Sequence, residues 1–152
     1  MHYMDSSALV KIYVEEAGSV WVRNVRERAA MGQIAICEIS GAEVFAAFHR
    51  RFRSGDLSKE ELQNACDLFR IDFDGFFVRR PVAKHIVDLG MRLIQKHPLR
   101  GYDSIQLATA ISFLEELRKL DGEFLLFVGA DKVLNTSAMG EGLTVINPAD
   151  YE

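Results

Sequence analysis

Cysteine, proline, histidine and tryptophan are all scarce in this chain of 152 residues, and each scarcity closes off a class of function. The two cysteines, Cys37 and Cys66, stand far apart in sequence, so neither a Cys-x-x-Cys redox pair nor a cysteine metal site is available. Both sit in apolar settings and read as small core residues. The four histidines, His2, His49, His85 and His97, show neither a His-Glu-x-x-His pattern nor a cysteine partner at zinc-site spacing. No Gly-x-x-x-x-Gly-Lys-Ser/Thr, Gly-x-Gly-x-x-Gly or Gly-x-Ser-x-Gly occurs, which removes the usual carriers of nucleotide-triphosphate, dinucleotide and serine-hydrolase chemistry. No apolar run approaches the ~20 residues of a membrane span, and the opening Met-His-Tyr-Met-Asp-Ser-Ser lacks the basic and apolar regions of a signal peptide. A cytoplasmic protein is therefore expected. The net charge of −4 argues against a surface that holds nucleic acid by electrostatics all over, so any such contact must be local.

With 49% hydrophobic and 26% charged residues, the chain has the balance of a single globular domain over 1–152, able to bury about two-thirds of its unfolded surface. Short β-rich apolar runs alternate with longer segments of helical period, the pattern of an α/β fold with a parallel sheet. Strands are predicted at His2–Met4, Gln33–Cys37, Phe76–Arg80, Phe124–Gly129 and Thr144–Ile146. Helices are predicted at Ser7–Glu15, Ser19–Met31, Ser40–Arg53, Lys59–Phe73, Ala83–Lys96, Tyr102–Lys119 and Lys132–Met139. Ser58 ahead of Lys59, Glu60 and Glu61 reads as an N-cap with an acidic first turn, and Gly55 as the stop of the preceding helix. Pro81, Pro98 and Pro148 all fall at element boundaries. The helix pair at about 40–73 reads as an αα-hairpin projecting from the sheet, an arm suited to partner contacts.

In open parallel sheets ligands bind beyond the carboxyl ends of the strands. Asp5 directly follows the first predicted strand, and Asp131 follows the fourth after Gly129 and Ala130. Taken singly, each is accounted for by helix capping, which contributes about 1 kcal/mol, and Asp103 ahead of Ser104 carries the same ambiguity. Glu43 is harder to dismiss, lying inside a helix among Ile39, Val44, Phe45 and Phe48, where an unpartnered carboxylate is costly. The alternative for it is an exposed glutamate paired with Arg50 or Arg51. Should these acids converge, two carboxylates ~4 Å apart repel by roughly 4 kcal/mol at an effective dielectric of 20. Either some stay protonated, or a hard cation such as Mg²⁺ or Mn²⁺ neutralises them. Such an ion activates water and stabilises a leaving oxygen, the requirements of phosphodiester hydrolysis.

Several segments resemble one family. Met4-Asp5-Ser6-Ser7-Ala8-Leu9-Val10-Lys11 is similar to the opening of PIN domains, particularly the VapC-like toxin ribonucleases. Glu15 to Ser19, Ile39 to Val44, Leu99 to Ala108 and Gly142 to Pro148 continue the resemblance in the family's order, across nearly the whole chain. The resemblance implies a three-layer α/β/α sandwich around a central, mainly parallel sheet of about five strands. It implies that Asp5, Glu43, Asp103 and Asp131 surround one or two Mg²⁺ or Mn²⁺ ions and hydrolyse RNA. It also implies a VapB-like antitoxin partner and a homodimer. One position departs from the pattern: many members carry Thr or Ser two residues before the last aspartate, where this chain has Gly129. Arg50 and Arg51, within the basic run His49 to Arg53, and Arg100 near Asp103 are the candidate RNA contacts, with a solvated helix end as the alternative for the run. Arg79 and Arg80 read as strand-end surface charges. Three other readings stand beside this one: a catalytically weak PIN-like module that binds RNA or a protein, a structure-specific DNA nuclease, and phosphoryl transfer through Asp5. The last lacks a second aspartate two residues on, where Ser7 stands.

Overall fold

The computed structural model describes residues 1–120 and 124–151. Five short strands, β1 (His2–Met4), β2 (Ile34–Cys37), β3 (Val78–Arg80), β4 (Leu126–Val128) and β5 (Thr144–Ile146), form one all-parallel sheet in the order β3-β2-β1-β4-β5. Between them run helices α1 (Ser6–Tyr13), α2 (Ser19–Arg28), α3 (Ser40–Ser54), α4 (Lys59–Gly75), α5 (Lys84–Lys96), α6 (Gly101–Arg118) and α7 (Lys132–Gly140).

Alternation along the strands assigns the layers. Met4, Ile34, Ile36 and Val128 point to one face, where Leu9 of α1, Val22 of α2, Phe48 of α3 and Phe69 of α4 cover them. Tyr3, Ala35, Cys37 and Phe127 point to the other face, under Leu93 of α5, Leu107 of α6 and Leu134 of α7. A strand buried on both faces reads as a continuous apolar run, which is why Ile34-Ala-Ile-Cys37 shows no polar alternation. The result is the expected α/β/α sandwich, with a sheet that is wholly rather than mainly parallel.

Three expectations are corrected. The α3–α4 pair does not project: Val44 and Phe48 of α3 and Leu62, Ala65 and Phe69 of α4 are buried in the same core as β1 and β2. Its capping box is present, with Ser58 Oγ accepting from the Glu61 amide and Glu61 accepting from the Ser58 amide. Cys37 is buried, but Cys66 is only half-buried. Arg80 is more than a surface charge, because its guanidinium lies 4.6 Å over the Phe113 ring and pairs with Glu116.

Several predicted ends contract by one to three residues. The fourth strand spans only Leu126–Val128, and α1 stops at Tyr13 because Val14 turns extended.

Candidate active site in the inter-helix cleft

The chain runs from β1 outward to β3, then returns to β4 on the opposite side of β1, so the topological switch point lies between β1 and β4. Their register pairs Met4 with Val128, which sets Asp5 beside the start of the loop to Asp131. A cleft of 1110 Å³ opens at these carboxyl ends, and Asp5, Glu43, Asp103 and Asp131 all line it.

Each of the four acids sits at a helix N-terminus. Asp5 caps α1 by accepting from the Ala8 amide at 3.0 Å, and Asp131 caps α7 by accepting from the Leu134 amide at 2.8 Å. Glu43 and Asp103 lie in the first turns of α3 and α6. The exposed amides and dipoles of four helices thus face the cleft and favour negative charge there. Capping and a role in the cleft are therefore compatible for Asp5 and Asp131. Asp103 is not a cap, since Arg100 holds that position in α6.

Burial raises the proton affinity of three of these groups. The Asp5 carboxyl, 2% exposed, is pushed up to about 7 by loss of water, with Glu43 and Asp103 adding repulsion against the bonds from Ser7 and Ala8. Glu43 is raised by burial and by Asp103, against hydrogen bonds from Gln106 and Ser6. Asp103 is raised by burial and by Asp131, with the Arg100 amide and guanidinium opposing. The repulsion links Asp5, Glu43 and Asp103 to one another, and Asp131 to Asp103. Glu43 does not pair with Arg50 or Arg51; its Oε2 accepts from Gln106 Nε2 at 2.6 Å.

Two residues of this site escape sequence reasoning. Gln106 is fully buried, accepting from the Tyr3 hydroxyl at 2.9 Å while its amide nitrogen serves Ser40 at 2.8 Å as well as Glu43. Only its place one turn beyond Asp103 hints at this. Ser7 supplies a hydroxyl to the carboxylate site: its Oγ donates to Asp5, 2.8 Å from Oδ1 and 2.9 Å from Oδ2, and accepts from the Ala130 amide at 2.8 Å. At Gly129 the space is taken by Asn135, whose Oδ1 would lie 2.6 Å from an added Cβ and has no hydrogen-bond partner among the described residues, while its Nδ2 donates to Gly129 O at 2.7 Å.

Arg50, Arg51 and Arg100 also line the cleft. His49 does not line it; its ring packs beside Phe45 instead. Four carboxylates in one cleft, three of them (Asp5, Glu43 and Asp103) with raised proton affinity, are donors of the kind a hard divalent cation prefers. Among the described residues no three His, Cys, Asp or Glu side chains are gathered closely enough to grip an ion together. The donors fit such an ion by kind and by their shared cleft, with water completing its shell.

Residues 2–121 match the family model described as PIN domain. The chain belongs to the PIN-domain family. PIN domains are generally nucleases. No curated protein matches this PIN domain. Among solved structures it is similar to a toxin–antitoxin complex from Klebsiella pneumoniae at 18% identity and a TM-score of 0.62, covering 97% of this chain and 98% of that one. It is also similar to FitAcB from Neisseria gonorrhoeae, at 11% identity, a TM-score of 0.62 and coverage of 97% and 98%. VapBC2 from Rickettsia felis, solved with a fragment of promoter DNA, gives 16%, 0.61 and the same coverage. At these identities the likeness is one of fold, and it extends over the whole length of the PIN domain.

Proposed function

We propose that this PIN domain acts over residues 1–152 as a Mg²⁺- or Mn²⁺-dependent endoribonuclease, the toxin of a toxin–antitoxin pair. The observation that carries the reading is the convergence of Asp5, Glu43, Asp103 and Asp131 on one cleft at the switch point of the sheet. The toxin–antitoxin complexes among its structural neighbours support the biological role, with a VapB-like antitoxin and a homodimer as the assembly and the cytoplasm as the place of action. No helix among the described residues is long and apolar enough to cross a membrane.

In this reading Asp5, Glu43, Asp103 and Asp131 hold the cation, which when bound supplies Lewis acidity and a more acidic water. The chain's own part is positional. Ser7 and the Ala8 amide fix the Asp5 carboxylate, Gln106 fixes Glu43, and the helix N-termini offset part of the repulsion among the acids. Arg50, Arg51 and Arg100 offer charge to RNA phosphates along the cleft wall.

A second reading, a binding module with weak catalysis, draws on the carboxylates not being gathered to a common coordination distance. One experiment separates the two. Purified protein is incubated with a pool of structured RNAs in Mn²⁺, Mg²⁺ or EDTA, beside Asp103→Asn. Cleavage that needs metal and disappears in the variant supports the nuclease; intact RNA together with no Mn²⁺ binding by calorimetry sinks it in favour of the module.

A further inference from the structure

At the end of the cleft away from the carboxylates, Lys11, Glu16 and Arg51 form an ion cluster, of which the reading above uses Arg51 alone and leaves Lys11 and Glu16 without a part. Lys11 is only 6% exposed, a depth at which lysine is rare unless paired. Its Nζ lies 2.8 Å from Glu16 Oε2, while the Arg51 guanidinium binds the other oxygen, Oε1. Glu16 is itself held fast. Its amide donates to Ser19 Oγ at 2.9 Å, and the Ser19 amide donates back to Glu16 O at 3.0 Å. Gly18 in the same loop has φ 85° and abuts Pro148, so that an added Cβ would lie 2.5 Å from the Pro148 carbonyl carbon.

The charge count gives the cluster its meaning. Arg51 and Glu16 alone would form a neutral pair. With Lys11 buried against the same carboxylate the cluster keeps one net positive charge, so Glu16 orients Arg51 without cancelling it. Glu16 engages only Nη2 of a fork with five N–H donors, and the Arg51 side chain keeps 30% of its surface exposed.

The spacing gives the ligand. Lys11 lies six residues beyond Asp5 along α1, and Arg51 eight beyond Glu43 along α3, separations of about 9 and 12 Å by helical rise. The cleft therefore passes from acids to cations over a length that neighbouring groups of an extended polyanion span. We propose that Arg51, oriented by Glu16 and left charged by Lys11, binds a backbone phosphate of a single nucleic-acid strand, near the phosphate held at the carboxylates. This rests on the nucleic-acid reading of the cleft and names one contact within it. Arg51 touches the strand; Lys11 and Glu16 are positioning residues.

The test is the binding of a short fluorescent RNA oligonucleotide in EDTA, across a salt series, by the whole chain and by Arg51→Met, Lys11→Met and, as a control outside the cleft, Arg92→Met. Arg51→Met reduces the slope of log affinity against log salt by about 0.7, the share of one phosphate on a single strand. Lys11→Met, which leaves a neutral Arg51–Glu16 pair, reduces it as much, although Lys11 is buried; Arg92→Met leaves it unchanged. Replacing the phosphates one at a time by methylphosphonate finds a position that weakens wild-type binding and no longer matters in Arg51→Met. That readout does not depend on Lys11→Met folding. Retention of the wild-type slope and methylphosphonate pattern by Arg51→Met overturns the proposal, as does a wild type that binds polyglutamate but no oligonucleotide. Cleavage, read separately in Mn²⁺, keeps the two readings apart: an active enzyme whose Arg51→Met variant binds RNA normally loses the seat but remains a nuclease, whereas binding that depends on Arg51 without any cleavage leaves the seat and removes the nuclease.

Discussion

Gln106 Nε2 lies 2.6 Å from Glu43 Oε2, and the orientation of that amide is set by the Tyr3 hydroxyl, which donates to its Oε1 from β1. A glutamine with no exposed surface thereby joins the sheet to the first turn of α3. Turning the amide over would set its oxygen against the Glu43 carboxylate and take away the acceptor of the Tyr3 hydroxyl, so the observed arrangement is favoured.

Replacing Gln106 by Leu leaves Tyr3, Ser40 and Glu43 each short of a partner, a loss of about 1–3 kcal/mol for an unsatisfied buried group. Mn²⁺ affinity is expected to fall by about 10- to 100-fold, as for other residues that orient a ligand. Calorimetric titration of Gln106→Leu, Glu43→Ala and the double variant checks the route. If the Gln106 substitution still weakens binding when Glu43 is already absent, it does not act through Glu43.

The metal-free protein is expected to lose stability as pH rises from about 4 towards 7. Asp5 ionises near 3.8 in the unfolded chain and near 7 in the fold, so the unfolded state releases its proton first across this window. The contribution is fully present below 3.8 and gone above about 7, and the raised groups Glu43 and Asp103 act in the same direction. Subtracting the melting temperatures of Asp5→Asn, measured in EDTA over the same pH series, isolates the Asp5 part. A wild-type minus variant difference that is flat with pH contradicts the burial argument. Added Mn²⁺ should raise the melting temperature more at neutral pH than at pH 5, where it competes with protons.

Asp72 of α4 accepts from the Tyr13 hydroxyl at 2.7 Å and from Arg26 Nε at 3.0 Å, and its Oδ1 lies 2.5 Å from Arg26 Nη2. It ties α1, α2 and α4 together outside the cleft. Asp72→Ala leaves Arg26 over the Phe76 ring without its carboxylate and is expected to cost about 3 kcal/mol, as for other broken buried pairs. Urea denaturation measures the loss, and RNA cleavage by the folded fraction should match the wild type.

Gly129 packs so tightly that Gly129→Ala would press on Asn135 Oδ1, at 2.6 Å, and Phe127, at 3.0 Å. A destabilisation of about 1–3 kcal/mol is expected from such overpacking. Combining it with Asn135→Ala makes room for the methyl group and should cost less than the two separate losses added together. A strictly additive double variant, measured by the same denaturation assay, would show that the two positions do not compete for space.

Much of the fold was legible because its causes are local. The doubly buried strands announce themselves as apolar runs such as Ile34-Ala-Ile-Cys37, and the helices announce themselves by period and by caps such as Ser58. Element ends were less legible: the last turn of α1 and the length of β4 depend on which residues find partners, not on propensity. The acids were legible as types and as positions after strands or in helices. Their ambiguity between capping and chemistry could not be removed locally, since Asp5 and Asp131 do cap their helices while facing the cleft.

By itself, then, the sequence determined the alternation of strands and helices, the supply of carboxylates and the resemblance to PIN domains, because hydrophobic period and residue type are properties of short segments. Only the tertiary structure decided which side chains meet. Crossovers between parallel strands bring residues distant in sequence to one edge of a sheet, which is how Ala130 reaches Ser7, Gln106 reaches Glu43 and Arg51 reaches Glu16. The packing of α3 and α4 against the core was decided in the same way, by the apolar face the sheet presents to them and not by any feature of the hairpin alone.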